Sequence, residues 1–143
     1  MSIVTKQIRE GYGYLIRIVA VGLREEGRLT CPVLDFLKTQ RVEHPDLMDQ
    51  LTALLEYSAR NRPPKNEKKF EYVAGTEGIY EFKAFQLRLL CFWDEGNLIV
   101  CTNGTVKKRD RADQSVINTA EQWKKSYFEA KQNNLLRHER EHE

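Results

Sequence analysis

One short apolar stretch, LRLLCFW at residues 87–93, constrains the fold of this chain more than any other segment. Its length and composition are typical of a β-strand, and Arg88 is its only polar side chain. A strand this apolar is expected to be buried on both faces, where a cation needs a partner or opens onto a site. The sequence therefore predicts a buried strand on which Arg88 marks a candidate functional position.

A basic cluster, KKRDR at residues 107–111, follows one predicted hairpin later. The hairpin joins residues 87–93 to a second strand at residues 98–102 through a turn at residues 94–97. The cluster therefore comes back close to the sheet that carries Arg88. Arginine suits bidentate recognition of phosphate, and lysine acts as a mobile point charge. Together they predict a phosphate-binding surface that can hold an RNA backbone and stabilise the charge of a phosphorane.

The composition is that of an ordinary globular domain. The chain has 143 residues, 41% of them hydrophobic and 31% charged, which is not the composition of a disordered protein. Its net charge is only +2, so any binding of nucleic acid must depend on local clusters of cations. No apolar run reaches membrane-spanning length. We expect a cytoplasmic protein with no membrane partner, one domain at residues 1–131, and a polar tail at residues 132–143 that frays.

The three cysteines, Cys31, Cys91 and Cys101, favour a reduced protein. Their odd number and the absence of CxxC spacing argue against a disulfide framework and against a zinc site. With the turn at residues 94–97, Cys91 would pair with Val100. Cys91 and Cys101 would then point to opposite faces of the sheet and could not form a disulfide.

The order of the predicted elements indicates an α+β fold. We expect a small antiparallel sheet, with two helices inserted after the first strand and a further helix at the C-terminus. Close spacing of the later strands favours antiparallel hairpins. The predicted elements are a strand at 12–23, helices at 32–40 and 45–60, strands at 70–74, 79–85, 87–93 and 98–102, and a helix that begins at Asp113.

The strand predicted at residues 79–85 adds charged side chains beside Arg88. Alternation places Glu81 and Lys83 on one face, and the neighbouring strand can bring Arg88 alongside them. One interpretation is a solvated ladder of cross-strand ion pairs. The other is a functional group of residues, formed together with the basic cluster at residues 107–111. For each residue taken alone, the two interpretations stay open.

Several other residues are candidates for contacts with RNA. Cations on a loop or a linker can hold phosphates, and an exposed tyrosine can stack on a base. The candidates are Lys68 and Lys69 in the basic linker at residues 61–69, Arg109 and Arg111 in the basic cluster, and Tyr72 and Tyr80 in the strands.

Other catalytic chemistries find little support in the sequence. It contains no pattern typical of nucleotide-binding loops, zinc proteases or serine hydrolases. The three histidines lie outside the predicted strands, and the acidic residues do not cluster as a two-metal nuclease requires. We therefore expect no cofactor and no metal.

Residues 78–127 resemble the signature half of the RelE/ParE toxin superfamily, especially its HigB-like, phage-derived branch. The resemblance depends on an ordered set of short pieces, of which none is specific alone. The pieces are GIYEFK at 78–83, LRLLCF at 87–92, DEGN at 94–97, KK at 107–108, and Ala120 in the following helix. The two helices predicted before the sheet fit the same arrangement, which implies a RelE-like fold.

The resemblance implies a toxin of a type II toxin–antitoxin system. Many such toxins are metal-independent endoribonucleases that cut mRNA on the ribosome and so inhibit translation. In that reaction the RNA 2′-hydroxyl attacks the adjacent phosphate, and basic side chains stabilise the transition state. The implied partners are a cognate antitoxin and ribosome-bound mRNA.

The resemblance also implies roles for individual residues. Lys83 takes the place of a cation on the first signature strand, and Arg88 matches the phosphate-binding arginine. Lys107 and Lys108 supply further catalytic cations, with Arg109 beside them. No histidine or tyrosine follows the Lys-Lys pair, where several members place a general acid. The general base stays open among three candidates, Glu67, Glu71 and Glu81.

Two alternatives keep the fold but not the nuclease activity. The first is a ParE-like inhibitor of DNA gyrase that does not cut RNA, which the missing histidine and tyrosine favour. The second is a degenerate phage-derived protein that acts only as a binding protein.

Overall fold

An open eight-stranded sheet with helices on both faces organises the protein. The computed structural model describes residues 1–108 and 113–140. The strands are β1 (Ser2–Arg9), β2 (Arg17–Glu25), β3 (Arg28–Thr30), β4 (Phe70–Tyr72), β5 (Tyr80–Ala84), β6 (Leu87–Asp94), β7 (Leu98–Val106) and β8 (Arg137–Glu139). The helices are α1 (Pro32–Glu43), α2 (Pro45–Asn61) and α3 (Gln114–Gln132). No helix in these described ranges is long and apolar enough to span a membrane.

The predicted α+β class is confirmed, but the sheet is larger than expected and is mixed. Its order is β4-β5-β6-β7-β2-β1-β8, and β3 also pairs with β2. Strands β4 to β7 form the expected antiparallel meander, whereas β2 pairs with β7 in parallel and β8 pairs with β1 in parallel. The chain between β2 and β7 passes through α1, α2 and the meander, which is long enough for the crossover that a parallel pair needs.

The two consecutive helices follow three strands rather than one. The strand predicted at residues 12–23 corresponds to β2, whereas β1 and β3 had not been predicted. Strand β1 was missed because Lys6 and Arg9 interrupt its apolar alternation. The charges of these residues are satisfied far away in sequence, by Glu139 and by Glu56.

Strand β6 is buried on both faces, as its composition predicts. Leu89 and Cys91 face the core under α1 and α2, and Leu90 and Phe92 face the core under α3. All four are at most 2% exposed. Arg88 belongs to the α3 face of this alternation, because its neighbours Leu87 and Leu89 point the other way.

The turn between β6 and β7 has three residues, since Asp94 pairs directly with Leu98. This one-residue difference shifts the register and places Cys91 opposite Cys101. The expected pairing of Cys91 with Val100 is therefore wrong, and both thiols face the same core. They are free and buried, and burial raises the pKa of each above its ordinary value.

A buried carboxylate ties α3 to the end of β6. Asp94 is 5% exposed; its Oδ2 accepts a hydrogen bond of 2.6 Å from the Tyr127 hydroxyl. Its Oδ1 accepts one of 2.8 Å from Lys131 Nζ. Both donors lie in the C-terminal half of α3, so these contacts fix that half of the helix to the β6–β7 turn.

Part of the predicted tail is an ordered edge strand. Strand β8 pairs with β1, and the Glu139 carboxylate binds Arg24 Nη2 at 2.7 Å and Lys6 Nζ at 3.3 Å. The expectation of a fraying tail is therefore wrong for residues 137–139, whereas residues 141–143 lie outside the described ranges. The division between a domain at 1–131 and a tail at 132–143 stays a prediction.

Removal of the Asp94 carboxylate should destabilise the protein. Asp94→Ala leaves the Tyr127 hydroxyl and the Lys131 ammonium without their shared acceptor, and we expect a loss of about 1–3 kcal/mol in the free energy of unfolding. Urea denaturation measures this loss. The control is Glu95→Ala, because the Glu95 side chain is 76% exposed and its contact with Lys131 is peripheral. Equal stability of the two variants would contradict the anchoring role of Asp94.

Acid should release β8 through Glu139. Hydrogen bonds from Arg24 first, and then from Lys6, lower the pKa of Glu139 below its ordinary value near 4.5. As the pH falls past that value, the unfolded chain takes up a proton before the folded chain does, so this contribution to stability is lost. Glu139→Gln should cost about 1–3 kcal/mol at pH 7 and progressively less towards pH 3.

Urea unfolding of the parent and of Glu139→Gln across that pH range tests this linkage. Glu121→Gln, on the exposed face of α3, is the control and should show no such trend. A pH-independent difference between the parent and Glu139→Gln would contradict the assignment.

Candidate functional site

A cleft of about 510 Å³ opens on the α3 face of the sheet, where α3 begins. Its charged lining residues are Glu81, Arg88, Lys107, Lys108 and Asp113. Helix α3 packs over Leu90 and Phe92 but begins only at Gln114. The cleft therefore lies at the end of this helical cover, beside Arg88.

Glu81 and Arg88 line this cleft from the sheet, and two further charged residues, Lys83 and Glu71, lie next to them on the neighbouring strands. Lys83 pairs in register with Arg88, and Glu71 pairs with Glu81. Lys83 Nζ bonds to the Glu71 carboxylate and lies 3.9 Å from Glu81 Oε1, which is also 4.0 Å from Arg88 Nε. The structure thus shows the ion pairs of the first sequence interpretation and places them beside a cleft, as the second interpretation requires.

The guanidinium of Arg88 is held by the backbone of the β5–β6 turn. Its Nη1 donates hydrogen bonds to the carbonyl oxygens of Phe85 and, at 3.0 Å, of Leu87. Its Nε is buried and has no hydrogen-bond partner among the described residues. The Glu81 carboxylate oxygen Oε1 lies 4.0 Å from this Nε, beyond hydrogen-bond distance. The side chain is 14% exposed, and its Nη2 makes no hydrogen bond with the described residues. Arg88 is therefore oriented by the protein while it retains donors for an anion.

Lys107 and Lys108 line the cleft where β7 ends. Val106, the last residue of β7, pairs with Leu87, and the Lys107 N–H donates a hydrogen bond of 2.7 Å to the Gln86 carbonyl. The predicted return of the basic cluster towards Arg88 is therefore observed for these two lysines. Arg109 and Arg111 lie outside the described residues.

The cleft also contains the start of α3. Asp113 is the N-cap, and its Oδ1 accepts a hydrogen bond of 2.9 Å from the Ser115 N–H. Hydrogen bonds from Ser115 hold the pKa of Asp113 below its ordinary value. The positive end of the helix dipole adds to the field of Arg88, Lys107 and Lys108, which favours an anionic ligand.

Four of the predicted RNA contacts, namely Tyr72, Tyr80, Lys68 and Lys69, are not among the described residues that line the cleft. Tyr80 points to the opposite face of the sheet, where its ring stacks on Phe70 at 5.3 Å between centroids and meets Tyr72 edge-on at 5.5 Å. The reason is alternation, since Tyr80 precedes Glu81 on β5. Lys68 and Lys69 line a separate groove beside α2.

The three candidate general bases are also separated. Glu81 lines the cleft, Glu71 lies one strand further out with its carboxylate on Lys83, and Glu67 belongs to the linker before β4. Only Glu81 of the three lines the cleft together with Arg88. Within residues 1–108 and 113–140, no group of three histidine, cysteine, aspartate or glutamate side chains is placed to hold a metal ion.

Thr105 and Asp113 are lining residues of the cleft that sequence reasoning did not single out as site residues. Thr105 lies directly opposite Arg88 in the β6–β7 register, and Asp113 had been assigned only as a helix start. The position of Thr105 depends on the length of the β6–β7 turn and on a register shift between Leu90 and Cys91, and the sequence signals neither.

Comparison with known families identifies the core of this chain. Residues 35–125 match the family described as phage derived protein Gp49-like (DUF891), and the match spans more than half of the chain. The chain belongs to the Gp49-like family. The matched segment includes every described residue of the cleft and leaves out β1, β2, β3 and β8. A search of curated proteins finds no significant match.

Glu81 should stabilise the sheet because it is the shared counter-ion of Lys83 and Arg88. Glu81→Gln leaves Lys83 directly opposite Arg88, and like charges in that position are unfavourable. We expect a loss of about 0.5–1 kcal/mol in the free energy of unfolding, which shrinks as salt is raised. Urea denaturation at low and high salt measures it, with Glu77→Gln in the exposed β4–β5 loop as control. A salt-independent loss would show that charge is not the cause.

Proposed function

We propose that this Gp49-like protein is a RelE/HigB-like toxin of a type II toxin–antitoxin system that cuts mRNA on the ribosome. The observation that carries the proposal is the placement of Glu81 and Arg88, with Oε1 and Nε 4.0 Å apart, on the wall of a cleft that Lys107 and Lys108 also line. A carboxylate base beside several phosphate-binding cations is the set of groups that metal-independent RNA cleavage needs. The sequence resemblance to the RelE/ParE superfamily supports the same activity.

In the proposed reaction, Glu81 is the general base and takes the proton of an RNA 2′-hydroxyl. The 2′-oxygen then attacks the adjacent phosphorus, and the bond from phosphorus to the 5′-oxygen breaks. Arg88 and the two lysines stabilise the negative charge that develops on the phosphoryl oxygens. A lysine ammonium from Lys107 or Lys108 returns a proton to the leaving 5′-oxygen. The products are a 2′,3′-cyclic phosphate and a 5′-hydroxyl end.

Lys83 has a positioning role in this scheme. Its ammonium lies between the carboxylates of Glu71 and Glu81, so most of its charge is matched within the protein. It keeps the Glu81 carboxylate directed towards Arg88. Glu71 in turn keeps Lys83 in place and is the less suitable base, because its carboxylate is already bound.

Two observations favour a second candidate, a protein that binds its target without cutting it. The described lining of the cleft contains no histidine or tyrosine, and Lys83 is already paired. Such a protein would be a ParE-like inhibitor of DNA gyrase or a phage-derived binding protein. A cognate antitoxin is the partner that the resemblance implies for a toxin of either kind, and the cytoplasm stays the expected location.

Induced expression in bacteria tests the proposed function. The parent should arrest growth and should produce new mRNA 5′ ends that depend on translation. Arg88→Ala and Glu81→Gln should each lower the yield of cuts about 100-fold or more and restore growth. Mapping of mRNA 5′ ends in the arrested cells provides the measurement. The control is Lys38→Ala, which removes an exposed cation on α1, away from the cleft.

The possible outcomes separate the candidates. Folded Arg88 and Glu81 variants that cut like the parent would contradict the site assignment. Growth arrest with intact mRNA and altered DNA supercoiling would favour the gyrase inhibitor. Normal growth of cells that express the parent at a high level would favour a binding protein without toxin activity.

A further inference from the structure

A second concave surface lies on the other face of the sheet, between α2 and the end of β5. It is a groove of about 840 Å³, and we call it the α2 groove. Leu54 and Tyr57 line it from α2, Phe85 from the β5–β6 turn, and Lys68 and Lys69 from the linker before β4. We propose that the α2 groove binds single-stranded RNA next to the nucleotides that occupy the cleft. This inference rests on the proposed function for the identity of the nucleic acid.

The first argument concerns Phe85, which occupies a position that suits glycine. It is the first residue of the two-residue β5–β6 turn, and its φ is +56°, in the left-handed region. Glycine is the usual residue at such a position, and a bulky side chain there is strained. The Phe85 ring is also 68% exposed, so packing does not compensate for the strain. A ligand that uses the ring explains both features, since strained residues concentrate at binding sites.

The second argument is the combination of rings and cations around the α2 groove. Tyr57, on the wall formed by α2, is 51% exposed, so two aromatic side chains are open to a ligand. Lys68 and Lys69 are exposed and make no ion pair with the described residues. No carboxylate occurs among the described residues that line the groove. Aromatic rings for bases and unpaired lysines for phosphates are the two components of sites for single-stranded nucleic acid.

The third argument is the physical link between the α2 groove and the cleft. Lys83 is among the residues that border the groove, while its ammonium lies on the α3 face, within 3.9 Å of the Glu81 carboxylate in the cleft. The Phe85 carbonyl accepts a hydrogen bond from Arg88 Nη1. The β5–β6 turn is therefore shared by both surfaces. An RNA strand that crosses this turn would place one phosphate at Arg88 and the neighbouring bases against Phe85 and Tyr57.

Replacement of Phe85 by glycine separates a binding role from a structural one. Phe85→Gly relieves the backbone strain, so its melting temperature should equal or exceed that of the parent. The same change removes a stacking surface and should raise the Kd for RNA about tenfold. Tyr57→Ala should raise the Kd to a similar extent. The control is Tyr12→Ala, since Tyr12 is fully exposed and does not line the groove.

The probe is a short, fluorescein-labelled, single-stranded RNA of mixed sequence, with every 2′-hydroxyl methylated so that it cannot be cut. Fluorescence anisotropy gives its Kd for the full-length protein. Combined Lys68→Ala and Lys69→Ala substitutions should raise the Kd and make it less dependent on salt. An acidic amphipathic peptide of alternating glutamate and leucine, added in excess, should not displace the RNA.

The outcomes distinguish this inference from the proposed function. A Phe85→Gly protein that is stable and binds the RNA like the parent overturns the inference, whether or not the parent cuts mRNA. Failure of the parent to bind the RNA overturns it as well. If RNA binding depends on Phe85 and the two lysines but the parent never cuts mRNA, the RNA-binding role of the α2 groove is supported. The proposed nuclease activity is then contradicted. Binding of the acidic peptide through Phe85, with no binding of RNA, overturns the inference in favour of a protein partner.

Discussion

The structure depends on one constraint, which is that β6 must be covered on both faces. Leu89 lies in the core under α1 and α2, and Leu90 lies in the core under α3. Burial of each such side chain stabilises the fold by about 1.5–3 kcal/mol, so both helical layers are needed. On the α3 face the helical layer extends only to Gln114, the first residue of α3. Arg88 of β6 lies beside this N-terminal end of the helix. The position of the cleft is therefore a consequence of where the cover of the central strand stops.

The two ends of β6 carry opposite charges, and α3 extends between them. At the far end, the Asp94 carboxylate is neutralised by Lys131, a cation in the last turn of α3, where the helix dipole favours positive charge. At the near end, the relation is reversed. Arg88 and Lys107 line the cleft at the helix N-terminus, where the dipole disfavours cations. Among the described residues, two carboxylates, Asp113 and Glu81, also line the cleft, but its three cations outnumber them, so the arrangement suits an anionic ligand such as phosphate.

Local patterns predicted the parts of the site that depend on alternation alone. The common face of Glu81 and Lys83 follows from a period of two, whereas the pairing of Lys83 with Arg88 depends on a two-residue turn at 85–86, where one residue had been expected. Features that depend on distant contacts could not be predicted in the same way. One residue less in the β6–β7 turn was enough to place Cys101 opposite Cys91 and to invert the expected orientation. Strand β1 has no clear apolar alternation because Lys6 and Arg9 interrupt it. Lys6 pairs with Glu139 of β8, more than a hundred residues away, and Arg9 pairs with Glu56 of α2, almost fifty residues away.

The strands outside the family match have a structural explanation of their own. Residues 98–101 of β7 are buried, and without a neighbour this edge would expose unpaired backbone groups and apolar side chains. Strand β2 pairs with this segment, β1 covers β2, and β8 covers β1. The outer strands carry more charge, as Lys6 and Glu139 illustrate, and charged edges discourage pairing with other chains. This half of the sheet extends away from Arg88, so it can protect the core without limiting access to the cleft or the α2 groove.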